Sequence, residues 1–488
     1  MKLLTNKSIA LLFAATVMIA CGKNDETKKL DTTFKLDPTE ISLSAFGGTQ
    51  TVILGIGKDI QSWDFTQNSN AWYTVNKNSD GISFTVSAGE NVETKRTAQI
   101  VCVGNVSDGK TVEASVSLSQ DALADDPTIA GATSLNTDGV SANCYIVSKA
   151  GTYRFIGNRK GNAENLDAIL NAGFVEMEGA PIEPASAKLI WQDRKGLIKN
   201  IFYIGGQIFF STADTFTEGN ALIAALDESG KILWSWHIWL TDEPGELKHV
   251  GQEGKEFIFL DRNLGATAVA TAALAKEPEA YGLLYQHGRK EPLRGGANWD
   301  ENTKTVLPFY DADGNDVFFS MGPDNHTDVS AIDKGVQIGI ENPLTIYSKG
   351  DTDFNHWSGS YTVDVCLSEF KYLWGRWTGG QKDYNLGKKT IFDPCPAGYI
   401  VASVGSFINE STTASDLLIP AAPWTGASDA HEFRSDAFGL MWSGQPVTTG
   451  GNTRPSARAY GYVGGAWKII GNGWENCMSL RCLKDQQY

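Results

Sequence analysis

The chain is poor in histidine, the commonest general acid–base residue. Six histidines are spread over 488 residues. They stand at positions 237, 249, 287, 326, 356 and 431, and no two have the i, i+4 spacing of a helical metal pair. Each is read as structural or solvent-exposed. HExxH and GxSxG do not occur, which removes the zincin and nucleophile-elbow signatures. There is no CxxC, and the spacing of Cys477 and Cys482 does not suit a zinc ribbon. "GIGKD" at 55–59 has Val52 where a phosphate loop needs its first glycine, and Asp59 where it needs Ser or Thr. Charged residues make up only 20%, with a net charge of −16 and no Lys/Arg-rich run. Such a field repels phosphates, so nucleic-acid binding is excluded as a general role. Eighteen consecutive apolar residues, the minimum for a spanning helix, occur nowhere.

What is abundant is glycine, with 51 residues, and aromatics, at 10%. That balance suits turn-rich β-structure. The N-terminus opens with the cationic "MKLLTNKS" and the apolar "IALLFAATVMIA", the anatomy of a signal peptide over residues 1–20. The run ends in Met18-Ile19-Ala20-Cys21-Gly22, which resembles a bacterial lipobox. That resemblance implies cleavage before Cys21, acylation of its sulfur and amine, and anchoring in the outer membrane by lipid alone. Residues 21–36 are polar and charged, as a flexible tether requires. Their Lys-Asp-Glu content resembles the surface-export signals of Bacteroidetes lipoproteins, and Asp31-Thr32-Thr33 resembles an O-glycosylation acceptor of that phylum.

The expected fold class is mainly β and multidomain. In residues 37–123, "EISLSAFGGTQTVILGI" reads as a hairpin about Gly47-Gly48. "GISFTVSAG", "AQIVCVG" and "VEASVSLSQ" alternate with period two, the last placing Val112, Ala114, Val116 and Leu118 on one face. Short strands at this density predict an immunoglobulin-like β-sandwich. Gly47, Gly48, Trp72, Asn91, Arg96 and Gln120 carry a resemblance to the BACON domain, a small sandwich often found beside glycan-acting modules. Trp72 is either a sugar platform or a core residue, the core being the commoner fate.

A linker over 124–130 leads to a β-rich middle module over 131–250. It contains hairpins about Gly205-Gly206 and about Glu228-Ser229-Gly230. In "ILWSWHIWL", Trp234, Trp236 and Ile238 share one face, and Ser235, His237 and Trp239 the other. One face must be core, and the second is read as a domain interface. "NAENLDAILNAG", from Asn162 to Gly173, carries helix start and stop signals.

The third module, 251–488, opens with helix-favouring stretches at Ala266–Ala275 and Ala280–Arg289 and then becomes rich in Gly, Asn, Asp and Trp. "DRNLGA" (261–266), "YGLLYQHGR" (281–289), "DPCPAGYIV" (393–401), "MWSG" (441–444) and "SLRCLKD" (479–485) form an ordered series. The series resembles the Fibrobacter succinogenes major paralogous domain, with Tyr399 in place of that family's tryptophan. The resemblance implies a loop-rich α+β module similar to C-type lectins and formylglycine-generating enzymes. It also implies a disulfide between Cys395 and Cys482, since the family's Cys-Pro and Arg-Cys segments recur together.

Ligand-binding candidates are aromatic. "KYLWGRWTGGQKDYN" offers Trp374, Arg376, Trp377 and Asp383, and Trp299, Trp357 and Trp424 lie in similar Gly/Asn/Asp-rich settings. Sugars present flat CH faces ringed by hydroxyls, and an aromatic plate flanked by Asn, Asp or Arg suits them. More than half of the module's tryptophans are expected in the core. Asp311, Asp313 and Asn315 share a turn that fits either a bound Ca²⁺ or a plain Asp/Gly turn, the turn being the default. No other cofactor is indicated. The sequence points to a non-catalytic surface lipoprotein binding a glycan or glycoprotein. A fimbria-associated adhesin that binds protein and an uncharacterised carbohydrate-active enzyme are the alternatives. No feature fixes the oligomeric state.

Overall fold

A computed structural model describes residues 30–488, apart from 46, 67–70, 90, 92, 126–128, 130, 137–139, 163–180, 301–304, 323–331, 348–354, 357–358, 361–372, 377–387, 409–416, 426–432, 435–437, 446–456, 475 and 486–488. Cys21, its leader and nearly all of the helix expected after Asn162 lie outside the described residues. The architecture is mainly β and falls into two compact units, Met1–Ala122 and Leu123–Tyr488.

The first unit packs two four-stranded sheets face to face. One runs in the order Phe34–Asp37, Gly48–Ile56, Ser83–Ala88, Tyr73–Lys77, and the other Glu40–Leu43, Thr111–Gln120, Arg96–Val106, Ile60–Phe65. Period-two alternation delivers Val52, Phe84, Val86, Ile100, Cys102, Val116 and Leu118 to the core between them. The strands flanking Gly47-Gly48 do not form the expected hairpin. Glu40–Leu43 pairs with Thr111–Gln120, while Gly48–Ile56 joins the opposite sheet. The turn therefore crosses between sheets. Gly47 has φ 89°, and a Cβ there would sit 2.5 Å from the Ala88 carbonyl, so only glycine fits.

In the second unit the two expected hairpins form. Ile198–Ile204 pairs with Gln207–Thr212, and Gly219–Leu226 with Ile232–Leu240. The latter pair forms the middle of a sheet ordered Cys144–Val147, Ile232–Leu240, Gly219–Leu226, Ser186–Gln192, Phe309–Tyr310, Asp316–Val317. Gly219–Leu226 is buried along its whole length, and Trp234, Trp236, Ile238 and Trp239 are all inaccessible. Both faces of "ILWSWHIWL" are thus interior. Phe155 packs 5.2 Å from Trp236 on one side. On the other, the Trp239 indole N–H donates to the Ala266 carbonyl at 2.9 Å. One hydrophobic core spans residues of the expected middle and C-terminal modules.

The two helices expected at the start of the C-terminal region are replaced. Ala266–Ala275 has no helix. Its backbone is drawn into tertiary bonds, with the Thr267 N–H on Glu279 O and the Leu274 N–H on Ile419 O. Ala280–Arg289 supplies only the end of a single turn, Pro278–Tyr281. Gly282 at φ 71° breaks it, and Leu284–Gln286 then enters a sheet against Cys477–Ser479. Alanine's propensity, worth tenths of a kcal/mol per residue, yields to burial of Leu284 and Tyr285.

The five segments of the ordered series converge. Arg481 Nε donates to Asn263 Oδ1 at 3.0 Å, and Asn263 Nδ2 to the Tyr281 carbonyl at 3.1 Å. The Trp442 indole N–H reaches the Tyr285 carbonyl at 2.9 Å. Tyr399–Val401 pairs with Cys482–Lys484, and Cys395 is disulfide-bonded to Cys482. The loop holding Cys395 is built around an internal ion pair. Asp393 accepts from the Cys395 and Val401 amides at 2.8 and 2.9 Å and meets Lys389 Nζ at 3.0 Å. The same ammonium donates to the carbonyls of Cys395 and Tyr399 at 2.9 and 2.7 Å. Asn143 and Asn162 clasp this loop from outside, each donating through Nδ2 to the Asp393 carbonyl at 2.9 Å.

Candidate functional site

Of the tryptophans nominated by the sequence, the two whose burial is described, Trp374 and Trp424, lie in the core. Trp374 is 1% exposed and donates its indole N–H to the Arg289 carbonyl at 3.2 Å. With Trp442 and Trp474 it surrounds the imidazole of His287, at ring distances of 4.8, 5.3 and 6.4 Å. Enclosure among indoles keeps His287 neutral, its pKa lowered to about 3 by desolvation. Trp424 is 8% exposed. Neither Trp374 nor Trp424 offers a ring face to a ligand, and burial is the physical reason to remove them from the candidates. Trp299 and Arg376 lie in two-residue strands, Trp299–Asp300 and Gly375–Arg376. Trp357, Trp377 and Asp383 lie outside the described residues.

The turn proposed for calcium closes on itself. Asp311 Oδ1 accepts from the amides of Asp313 and Asn315 at 2.9 and 2.8 Å, and Oδ2 accepts from Asn315 Nδ2 at 3.0 Å. These bonds hold the Asp311 carboxyl below its usual range. Among the described residues no group of three His, Cys, Asp or Glu side chains is placed to hold a metal ion.

A cleft of about 280 Å³ opens elsewhere, where strand ends of the long sheet meet residues between 265 and 298 and the pair Leu307 and Pro308. Its lining includes Asp193, Arg194, Asn220, Glu279, Asn298 and Tyr310. Asp193 follows the strand Ser186–Gln192, and Asn220 is the second residue of its neighbour, Gly219–Leu226, so the sheet fixes both. Two of the lining positions admit only glycine. Gly265 and Gly282 have φ of 84° and 71°, and a Cβ on them would lie 2.6 Å from Leu283 and from the Leu264 carbonyl. Both belong to the ordered series read in the sequence, so that series shapes the cleft without supplying its polar groups.

Asp193 and Asn220 are bound rigidly. The Asn220 backbone N–H donates to Asp193 Oδ1 and its Nδ2 to Oδ2, both at 2.8 Å. Asn220 Nδ2 also reaches the Gly265 carbonyl at 2.9 Å. The amide oxygen is then the acceptor toward His237 Nε2, 2.9 Å away, which places the imidazole hydrogen on Nε2. Burial holds His237 neutral, with its pKa lowered to about 3. Burial also raises the Asp193 carboxyl to about 6, against the opposing pull of the Asn220 bonds and of Arg194. A hydrogen-bonded line thus runs from the cleft through Asn220 to a core histidine. At the rim, the Lys195 ammonium lies 4.7 Å from the Tyr310 ring centroid, and Asn298 Oδ1 accepts from the Gly295 amide at 3.1 Å.

Asp193, Asn220 and Tyr310 were not picked out by the sequence. Each sits at a strand end with no motif, and only the sheet register brings them together. His237 was noticed for its face, and that face meets the cleft's supporting residue.

No family model matches the chain, and no curated protein matches it. Solved structures with some likeness include SporoSAG in a cadmium-bound form, at 10% identity and TM-score 0.18, covering 41% of this chain and 93% of that one. An endo-fucoidan hydrolase of glycoside hydrolase family 107 has 10% identity and TM-score 0.18, over 42% of this chain and 28% of its own. The Bacteroides ovatus protein SGBP-B of a mixed-linkage glucan utilization locus, in complex with a heptasaccharide, has 11% identity and TM-score 0.12, over 46% of each chain. Likeness at this level assigns neither family nor ligand.

Proposed function

We propose that the chain is an exported lipoprotein, held at the outer membrane through Cys21, that binds a carbohydrate or glycoprotein ligand in the Asp193 cleft without transforming it. In this reading the first unit is a BACON-like spacer and the second carries the binding site. The observation that supports it is the composition of the cleft. An oriented carboxylate, Asn220, Asn298 and the Tyr310 ring line one opening of about 280 Å³. That size stands at the small end of small-molecule sites and suits a single sugar ring. Fixed acceptors address hydroxyls, and an aromatic ring addresses CH faces.

In this reading Asp193 is a recognition group: both of its oxygens accept bonds from Asn220, which fixes the direction in which the carboxylate meets a hydroxyl.

The deacylated mature chain, applied to a glycan array and then titrated calorimetrically with the best responders, tests this function. Binding that is lost in Asp193→Ala and Tyr310→Ala variants is expected. An array without signal, together with capture of a fimbrial subunit, would replace this reading with a protein-binding adhesin. Release of shortened oligosaccharides would replace it with an enzyme.

A further inference from the structure

Phe318 is the most exposed of the large apolar side chains among the described residues, at 59%. Its neighbours explain where it points. Phe309 pairs with Val317 and Tyr310 with Asp316 in an antiparallel ribbon, and directly opposed residues share a face. Phe309 is buried and stacks edge-on with buried Phe319 at 5.4 Å, and half-buried Val317 packs on the same core. Residues 317 and 319 therefore face inward and Phe318 outward, on the side of Tyr310 and Asp316. Pro308 and Phe318 are the residues that follow directly beyond the last pair, Phe309 and Val317. Pro308, Tyr310 and the 44%-exposed Leu307 all line the cleft. An apolar wall accordingly continues from the cleft mouth onto the open ribbon, ending at an uncovered phenyl ring.

Resting on the reading of the cleft as a sugar site, we propose that Phe318, with Leu307 and Pro308, forms a second subsite that stacks the next ring of an uncharged oligosaccharide. The inner subsite holds one ring through hydrogen bonds to the Asp193 carboxylate, whose orientation Asn220 fixes. The outer one holds its neighbour through CH–π contact, to which a phenyl ring suits itself without polar partners. The ligand is uncharged because the charges around the path oppose one another. Arg194 and Lys195 stand against Asp193, Glu279 and Asp316, and the chain as a whole carries −16. An anionic sugar meets net repulsion, and a cationic one meets Arg194 and Lys195 on the same path.

The test is a length series on the full mature chain: glucose, galactose, mannose and N-acetylglucosamine with their β-1,4- and α-1,4-linked di- and trisaccharides, and glucuronic acid as the charged comparison. Affinity is read by saturation-transfer NMR and calorimetry. At least one neutral series is expected to gain about fivefold or more on going from one ring to two. Phe318→Ala should abolish that gain while leaving monosaccharide affinity unchanged, and Phe318→Trp should retain it. Phe318 is exposed, so these changes leave the core intact. Monosaccharide binding without a length gain, or a gain that survives Phe318→Ala, overturns the second subsite and leaves the cleft standing. Tighter binding of glucuronic acid than of glucose overturns the neutral class. No binding by any member overturns the subsite and the sugar reading of the cleft together.

Discussion

The guanidinium of Arg96 lies 4.6 Å above the indole of Trp72 while its Nε and Nη2 donate to Gln120 Oε1 at 3.1 and 2.8 Å. Gln120 in turn donates through Nε2 to the carbonyls of Ser44 and Gly89 at 2.9 and 2.8 Å. Asn91 Nδ2 reaches those of Thr94 and Asp121 at 2.8 and 3.0 Å. The scattered positions that suggested a family for the first unit are therefore one clasp, tying the Gly47 turn to the 89–94 loop and to the end of the last strand.

Arg96→Ala is expected to destabilise the first unit by about 2–3 kcal/mol, since it removes a cation–π contact and orphans the Gln120 amide oxygen. Urea denaturation followed by tryptophan fluorescence measures it. A loss below half a kcal/mol would show that the clasp is ornamental. Trp72, capped by Arg96 and edged by Tyr73 at 5.0 Å, is packed for this role.

The Cys395 loop gives a prediction with two parts. Asp393→Ala strands the buried Lys389 ammonium among carbonyls and should cost about 3–5 kcal/mol, and Lys389→Met with Asp393→Leu should recover little of that loss, because the Cys395 and Val401 amides and the Cys395 and Tyr399 carbonyls stay unpaired. Replacing Cys395 and Cys482 by serine opens a loop of 87 residues and should cost about 4.5 kcal/mol in the chain-entropy model. Guanidinium titrations of the mature chain measure all three variants, and a non-reduced digest should contain the 395–482 linkage.

The parts legible in the sequence were those carried by local pattern. Alternation revealed the strands of the first unit, and the Gly205-Gly206 and Ser229-Gly230 turns revealed two hairpins that form as read. Local pattern failed where distant partners decide. Ala266–Ala275 reads as helix, yet its amides find Glu279 and Ile419. Gly47-Gly48 reads as a hairpin turn, yet its two strands enter different sheets. The site was less legible still. Tryptophan abundance marks both sugar plates and cores, and Trp374 went to the core. Asp193 and Asn220 are ordinary in sequence and become a pair only through the register of Ser186–Gln192 against Gly219–Leu226.

Asp193 also sets a pH dependence. Its folded pKa, about 6, is raised above the usual carboxylate value near 3.9, so the folded state binds this proton more tightly than the unfolded chain. The contribution favours folding most at pH values below about 4 and is lost as pH rises through about 6. Asp193→Asn does not titrate there. The stability of the variant relative to the natural chain should therefore rise between about pH 4 and pH 6 and level off above. Urea midpoints at pH 4, 5, 6 and 7 provide the difference curve, and a flat curve would place the Asp193 pKa in the ordinary range.

Trp374 separates stability from binding. Its indole is enclosed by His287 and the core and bonded to the Arg289 carbonyl, so Trp374→Ala should create a cavity and cost about 3–5 kcal/mol. Among molecules that remain folded, the cleft at Asp193 should keep its affinity, because no cleft-lining residue is removed. Tyr310→Ala should do the reverse, with binding weakened and the denaturation midpoint shifted little, since its half-buried ring is lost from the rim. Calorimetry and denaturation on the same two variants decide the matter. If Trp374→Ala loses the ligand while fully folded and Tyr310→Ala does not, the binding surface is the tryptophan-rich region, and the cleft is only a seam between strand ends.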